Sequence, residues 1–150
     1  MVNGNMSDIY DLSVCINEAD SFLLVAKNIE DDFDTFLCGG MYPFTVNAAF
    51  ACELYMKAIF IHNSSDGTIP KLHKLDELFD KLPKDAKVQI EALFSKQYKH
   101  DLLSLLSEIS NAFIEWRYAF ENGVKINITG LLAFANALQE YVDSTIRENE

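Results

Sequence analysis

Apolar residues recur every three or four positions along most of this chain, a spacing that places them on one face of an α-helix. From Asp8 to about Leu37 the pattern predicts a long first helix, with Ser7 as its N-cap. Its apolar stripe consists of Ile9, Leu12, Ile16, Ala19, Leu23 and Ala26. The run Cys38-Gly39-Gly40 predicts the end of this helix.

The second predicted helix begins after Pro43 and continues to about His62. Its apolar residues surround the helix instead of following one face, so we expect it in the centre of a bundle. These residues are Phe44, Val46, Ala49, Phe50, Leu54, Ala58 and Ile61. Glu53 and Lys57 are charged exceptions on this helix.

Two shorter amphipathic helices are predicted next, after a loop at residues 63–67. Pro83 ends the first of them, because proline is not tolerated inside a helix. Its apolar residues are Leu72, Leu75, Leu78, Phe79 and Leu82. The second is predicted around Asp85 to Gln97, and its inner stripe consists of Ala86, Ile90, Leu93 and Phe94.

Asp101 is the predicted N-cap of a fifth helix that continues to Gly123. Its stripe consists of Leu102, Leu105, Leu106, Ile109, Ala112, Phe113, Trp116 and Phe120. A short extended connection at residues 124–128 then leads to Thr129, the predicted cap of a last helix. The inner face of that helix consists of Leu131, Leu132, Ala135, Leu138, Val142 and Ile146. The sequence thus predicts an all-α fold, an up-and-down bundle of about five or six helices.

Length and composition favour a single soluble domain over residues 1–150, with short flexible ends. A hydrophobic content of 49% supplies a core without a metal or disulfide staple. The start of the chain has no export signal, and we expect no apolar run long enough to span a bilayer. Cys15, Cys38 and Cys52 are widely spaced, which is typical of reduced thiols in a cytoplasmic protein.

The net charge of −11 argues against a broad nucleic-acid-binding surface. Residues 71–99 nevertheless hold seven basic and five acidic residues, a local charge of +2, whereas the rest of the chain holds five and 18, or −13. This segment is either a small basic face on an acidic body or a solvated surface of mixed charge.

Sequence spacing predicts neither a zinc site nor a phosphate loop, and we expect no cofactor. No cysteine pairs at short spacing with His62, His73 or His100. Cys52 lies within the predicted central helix, where an inert core thiol is the ordinary interpretation and a nucleophile the alternative.

The best candidates for a functional site are polar residues set among apolar ones. They are Glu53, Lys57, His73, Glu115, Arg117 and Glu121. One interpretation is a polar site between the second and fifth helices, and the other is an internal ion pair that fixes their packing. His73 is either a structural residue, bonded to Glu53 or capping a helix, or a general base. Trp116 and Tyr118 flank Arg117, a pattern that can stack nucleobases, but Trp116 belongs to the apolar stripe, which favours packing.

Three segments together resemble the HEPN (higher eukaryotes and prokaryotes nucleotide-binding) superfamily. They are residues 48–59 (AAFACELYMKAI), residues 73–79 (HKLDELF) and residues 111–121 (NAFIEWRYAFE). The resemblance implies an α-helical bundle that dimerises, over roughly residues 8 to 148. It also implies a relation to metal-independent ribonucleases of prokaryotic defence and toxin-antitoxin systems, whose signature is Arg followed four to six residues later by His.

Arg117 stands in the expected region, but Asn122, Gly123 and Val124 occupy the positions where His would fall. The resemblance therefore implies a catalytically degenerate, homodimeric module that binds nucleotide, RNA or a protein partner encoded nearby. The expected ligand-binding residues are Glu53, Lys57, His73, Glu115, Arg117, Tyr118 and Asn122. The alternative is a ribonuclease or nucleotide-processing enzyme with Arg117 as electrostatic stabiliser and His73, Glu53 or Glu121 as proton carrier. A third interpretation is a purely structural partner of another polypeptide, which a large exposed apolar patch would indicate.

Overall fold

A computed structural model describes residues 11–32, 34, 39–110 and 127–147. The helices whose bounds fall within these ranges are six α-helices and the π-helical turn at residues 143–147, and the described residues form no strand. The helices are α1 (Leu12–Asp31), α2 (Met41–Asn63), α3 (Leu75–Asp80), α4 (Lys84–Gln97), α5 (Leu102–Ile109) and α6 (Ile128–Val142), followed by the turn Asp143–Arg147. The prediction of an all-α helical bundle is confirmed.

α1 is shorter at both ends than the sequence predicts. Its N-cap is Asp11 and not Ser7, and the Asp11 carboxylate accepts a hydrogen bond from the backbone N–H of Val14 at 3.1 Å. Both residue types can cap a helix, and they stand about one turn apart, so the apolar stripe could not choose between them. The helix ends at Asp31 with Asp32 as its C-cap, where acidic residues oppose the helix dipole. Residues 33 and 35–38 of the predicted continuation to Leu37 lie outside the described residues.

α2 lies in the centre of the bundle, as predicted, and packs against α1, α3 and α6. It begins at Met41, so Pro43 lies in its first turn, where the missing N–H of proline costs no hydrogen bond. Its buried residues face every direction around the helix axis. They are Phe44, Thr45, Ala48, Ala49, Ala51, Cys52, Glu53, Tyr55, Met56, Ala58 and Ile59.

By length and composition alone, α2 is apolar enough to cross a membrane. The expectation that no apolar run approaches that length was therefore wrong. The reason is its position: 61% of the apolar stretch is buried by the rest of the protein, and a core helix covered on all sides has the same composition as a membrane span.

α1 and α2 form an antiparallel pair, since early residues of α1 contact late residues of α2. The Sγ of Cys15 donates to the carbonyl oxygen of Leu54 at 3.2 Å. Further along α1, the ring of Phe22 stacks on the ring of Phe50, with their centroids 5.3 Å apart.

α6 packs against both α2 and α4, so the helices are not all neighbours in chain order. Its N-cap is Asn127, whose side-chain oxygen accepts from the backbone N–H of Gly130 at 2.9 Å. The predicted cap Thr129 is wrong, and Ile128 is helical instead of extended. Asn127 caps the helix instead of Thr129 because asparagine is among the strongest N-cap residues. Its side-chain amide also donates a hydrogen bond to the Tyr98 hydroxyl at 3.2 Å.

α5 begins as predicted, because the Asp101 carboxylate accepts from the backbone N–H of Ser104 at 3.0 Å. The buried Ser110 hydroxyl, just after α5, donates to the Asp76 carboxylate on α3 and joins these two short helices. The predicted continuation of this helix to Gly123 lies outside the described residues.

Candidate functional site

Glu53 is a carboxylate placed inside the core, with only 7% of its surface exposed. One of its oxygens, Oε2, accepts a hydrogen bond from the Nζ of Lys57 at 2.9 Å. The two residues are four apart on α2, in the order that favours an ion pair on one helix face. Because a buried carboxylate needs partners, this pair compensates its removal from water.

His73 contacts the other oxygen of Glu53, with 3.4 Å between its Nδ1 and the Glu53 Oε1. It belongs to the irregular segment between α2 and α3, and 70% of its side chain is exposed. The contact shows that this segment runs back along α2 after the loop at residues 64–67. We call Glu53, Lys57 and His73 the α2 polar cluster.

In the α2 polar cluster, the Glu53 carboxylate is the anion, and Lys57 and His73 each place a nitrogen group near one of its oxygens. Glu53 accepts a bond from Lys57 at Oε2 and contacts His73 at Oε1, so it holds these two side chains near each other. A lysine ammonium has three donors, of which Lys57 uses one on Glu53. The exposed His73 ring offers its Nε2. The cluster can therefore bind an anionic or hydrogen-bond-accepting group at the surface of α2.

The other predicted site residues lie outside the described residues. They are Glu115, Arg117, Tyr118, Glu121 and Asn122. The predicted polar site between α2 and these residues therefore stays a prediction. The Glu53–Lys57 pair is formed within one helix, so by itself it does not fix the packing of two helices.

The two described cysteines are free and buried. Burial, with a further contribution from Glu18, raises the pKa of the Cys15 thiol to about 11. Burial also raises the pKa of Cys52 far above its ordinary value. Thiols in this state are protonated at neutral pH and are poor nucleophiles, which favours the interpretation of Cys52 as an inert core residue.

A second polar network was missed by the sequence analysis, and it is centred on Asp20 of α1. The Asp20 carboxylate accepts hydrogen bonds from the Tyr55 hydroxyl on α2, from the Gln139 amide on α6 at 3.2 Å, and from the Arg147 guanidinium. Arg147 also donates to Asp143 at 2.8 Å. We call these residues the Asp20 network.

The protonation states in the Asp20 network follow from its hydrogen bonds. Burial by itself would raise the pKa of Asp20, but hydrogen bonds from Tyr55, Arg147 and Gln139 outweigh burial and lower it. Burial and the bond to Asp20 together raise the pKa of Tyr55. Burial opposes the charge on Arg147, yet its bonds to Asp20 and Asp143 raise the pKa of its guanidinium. Asp20 and Arg147 are therefore both charged at neutral pH.

Only one interaction of the Asp20 network is predictable from the spacing of residues in the sequence. Asp143 and Arg147 are four residues apart, which indicates a local ion pair. The Asp20–Arg147 contact joins residues 127 positions apart, and only the packing of α1 against the end of α6 creates it.

Among the described residues, no group of three or more His, Cys, Asp and Glu side chains is arranged to hold a metal ion. No protein-family model, curated protein or solved structure matches the chain. The HEPN resemblance therefore rests on the residues of the three sequence segments alone.

Proposed function

We propose that this chain is a HEPN-type, homodimeric binding module that has lost the ribonuclease signature and binds a nucleotide, RNA or a protein partner. The observation that carries the proposal is the α2 polar cluster. Glu53 and Lys57 come from one segment of the HEPN resemblance and His73 begins another, and their side chains meet. The setting that the resemblance suggests is a cytoplasmic defence or toxin-antitoxin system, with a protein partner encoded nearby.

The chemistry of the cluster favours a ligand with a phosphate or another acceptor group. The exposed His73 ring presents a nitrogen at the surface, the mostly buried Lys57 has donors left beyond its bond to Glu53, and in this proposal Arg117 adds a permanent cation. The net charge of −11 opposes a long nucleic-acid track, so a nucleotide or a short single-stranded segment fits better than an extended duplex.

Loss of catalysis is proposed because the proton carrier of the family is missing. Asn122, Gly123 and Val124 replace the histidine that would follow Arg117. Neither an amide, a glycine nor an aliphatic side chain can act as a general acid or base at neutral pH.

One observation favours the alternative, an atypical metal-independent ribonuclease. The buried Glu53 carboxylate lies 3.4 Å from His73 Nδ1 and can orient the imidazole so that Nε2 faces solvent. A carboxylate that orients a histidine is a recurrent arrangement in acid–base catalysis. In this alternative His73 carries the proton, Glu121 is a second candidate carrier, and Arg117 stabilises the developing negative charge.

The proposed homodimer has its support on the outer face of α1. Val14 and Val25 are 52% and 45% exposed, and the neighbouring Leu24 is 60% exposed. Val14 and Val25 lie on the same side of α1, because eleven residues complete about three helical turns. These exposed apolar side chains are interspersed with the exposed polar residues Glu18 and Ser21, and they are the residues of α1 that we propose a dimer contact covers.

The deciding experiment measures RNA cleavage and RNA binding by the purified protein at low salt with EDTA present. We expect no cleavage, and we expect weak binding that decreases in Lys57→Ala and His73→Ala but not in the control Lys96→Ala. Cleavage that Arg117→Ala abolishes would reject the binding module and establish the enzyme. If the wild-type protein neither cuts nor binds RNA or mononucleotides, nucleotide and RNA are rejected as ligands, and a protein partner is the remaining ligand of the proposal.

A further inference from the structure

A cleft of about 520 Å³ lies where the end of α2 meets the segment that follows it and the turn between α3 and α4. Its apolar lining comes from Phe60 on α2, from Ile69 and Pro70 in the returning segment, and from Pro83 before α4. We call it the α2–α4 cleft. It is an open depression of the surface, and its volume lies within the range of protein sites that hold one small molecule.

The shape of the cleft is set by the turn that leads into it. Asp66 accepts hydrogen bonds from the Ser64 hydroxyl at 2.6 Å and from the backbone N–H of Thr68 at 3.1 Å. These bonds lower the pKa of Asp66 to about 2, and the carboxylate is thereby satisfied within its own loop. Gly67 follows with φ of 75°, a left-handed conformation that glycine adopts without strain.

Charge distinguishes this cleft from two others that described residues form. One is lined by Glu140 and Asp143, and the other by three acids of α3. In the α2–α4 cleft the charged lining residue is Lys81. No carboxylate of the described residues lies within ion-pair distance of its ammonium group. In a protein of net charge −11, this cleft combines an apolar floor with a cation at its edge.

We propose that the α2–α4 cleft binds a small ligand that combines a planar apolar ring with one anionic group. The ring lies against Phe60 and Pro70, and the anionic group contacts the Lys81 ammonium. Aromatic rings pack well against apolar surfaces of this kind, and the Lys81 ammonium attracts the anion. Nucleoside monophosphates and aromatic carboxylates share this chemistry.

The cleft adjoins the α2 polar cluster, since Phe60 lies one turn beyond Lys57 on the same face of α2. It is nevertheless a separate site, because Glu53, Lys57 and His73 do not line it. The inference rests on the proposed function only in that a nucleotide is one member of the ligand class.

The test is an NMR titration of the full chain that follows backbone amide signals. The probes are AMP, adenosine without the phosphate, ribose 5-phosphate without the ring, and indole-3-acetate as the aromatic carboxylate. We expect the signals of Ile69 and Lys81 to shift with AMP or with indole-3-acetate, and with adenosine or ribose 5-phosphate only at much higher concentration. Which of the two anions binds more tightly identifies the source of the ligand.

Two variants provide the control for charge and position. Lys81→Gln is expected to weaken binding of the preferred anion about fivefold, as for a solvent-accessible ion pair, while leaving weak adenosine binding unchanged. Lys96→Gln makes the same change of charge outside the cleft and should have no effect.

Equal affinities of Lys81→Gln and wild type, or shifts confined to the surroundings of Lys57 and His73, would overturn the cleft as the site. The second result would at the same time support the proposed function, so the two failures are distinguishable. If none of the probes shifts the signals of the cleft, the inference is rejected. If ribose 5-phosphate binds as tightly as AMP, the role of the ring is rejected.

Discussion

Asp20 and Arg147 form an ion pair between the first helix and the last turn of the described chain. The same carboxylate receives a hydrogen bond from Tyr55 on α2 and another from Gln139 on α6. One side chain thus joins three helices and the terminal turn.

Replacement of Asp20 by alanine should lower the free energy of unfolding by about 2–4 kcal/mol, because three donors lose their acceptor together. Asp143→Ala removes a single, more exposed partner of Arg147 and should cost about 1 kcal/mol or less. Urea unfolding measures both variants. A cost for Asp20→Ala no larger than that for Asp143→Ala would contradict the central role of Asp20.

The Asp20 network also predicts how stability depends on pH. The pKa of Asp20 is lower in the folded state than the ordinary value of 3.8, so its contribution is complete above 3.8 and is lost as the pH falls through the lower, folded value. Asp20→Asn should therefore lose stability at neutral pH and show a flatter acid limb. The difference between wild type and variant isolates Asp20 from Asp66 and Asp101, whose pKa values are also lowered. Parallel acid limbs would contradict this assignment.

In the α2 polar cluster, Glu53 and His73 should differ in their effects on stability. Glu53→Ala leaves the mostly buried Lys57 without its partner and should cost about 1–3 kcal/mol. His73→Ala should cost under about 1 kcal/mol, because the ring is largely exposed. Thermal unfolding of both single variants and the double variant gives the coupling energy. A larger effect of His73→Ala would indicate a structural role for this residue.

Gly130 of α6 faces the end of the Leu105 side chain of α5, so a side chain at this position requires Leu105 to shift. An added Cβ would lie 2.5 Å from the Cδ1 of Leu105, which is fully buried. We expect Gly130→Ala to destabilise the protein by about 1–2 kcal/mol despite the better helix propensity of alanine. The penalty should shrink when the same change is made in a Leu105→Ala background. An unchanged penalty there would show that Leu105 is not the cause.

The outer face of α1 can be tested through the oligomeric state. Val25→Glu places a charge in the proposed contact and should convert a homodimer into monomers, as measured by sedimentation equilibrium. Val88→Glu is the matched control, because Val88 is equally apolar, 58% exposed and located on α4. A wild-type protein that is monomeric at every concentration would reject the dimer. Dissociation by both variants would show that the effect is not specific to α1.

The sequence was informative wherever the deciding interaction is local. Asp101 caps α5 as predicted, because its carboxylate bonds to a backbone N–H only three residues later. The pairing of Glu53 with Lys57 was accessible for the same reason, since helix geometry alone brings residues four apart together. The central position of α2 followed from apolar residues on all its sides.

The sequence was uninformative where two local solutions compete or where tertiary packing decides. Ser7 and Asp11 are both acceptable caps, and so are Thr129 and Asn127; the contact of Asn127 with Tyr98 is invisible in the pattern. Asp20 follows the buried Ala19 in α1, yet nothing local indicates that Tyr55, Gln139 and Arg147 are its partners. Such contacts exist only after the helices have packed.

The position of Tyr55 in α2 has a consequence for the rotation of that helix about its axis. Tyr55 and Glu53 are two residues apart, so their side chains point to nearly opposite sides, about 200° apart. The hydrogen bond from Tyr55 to Asp20 therefore sets the angle at which Glu53 and Lys57 face the returning segment and His73. A ligand at the α2 polar cluster binds to a helix whose orientation is held from its far side by α1.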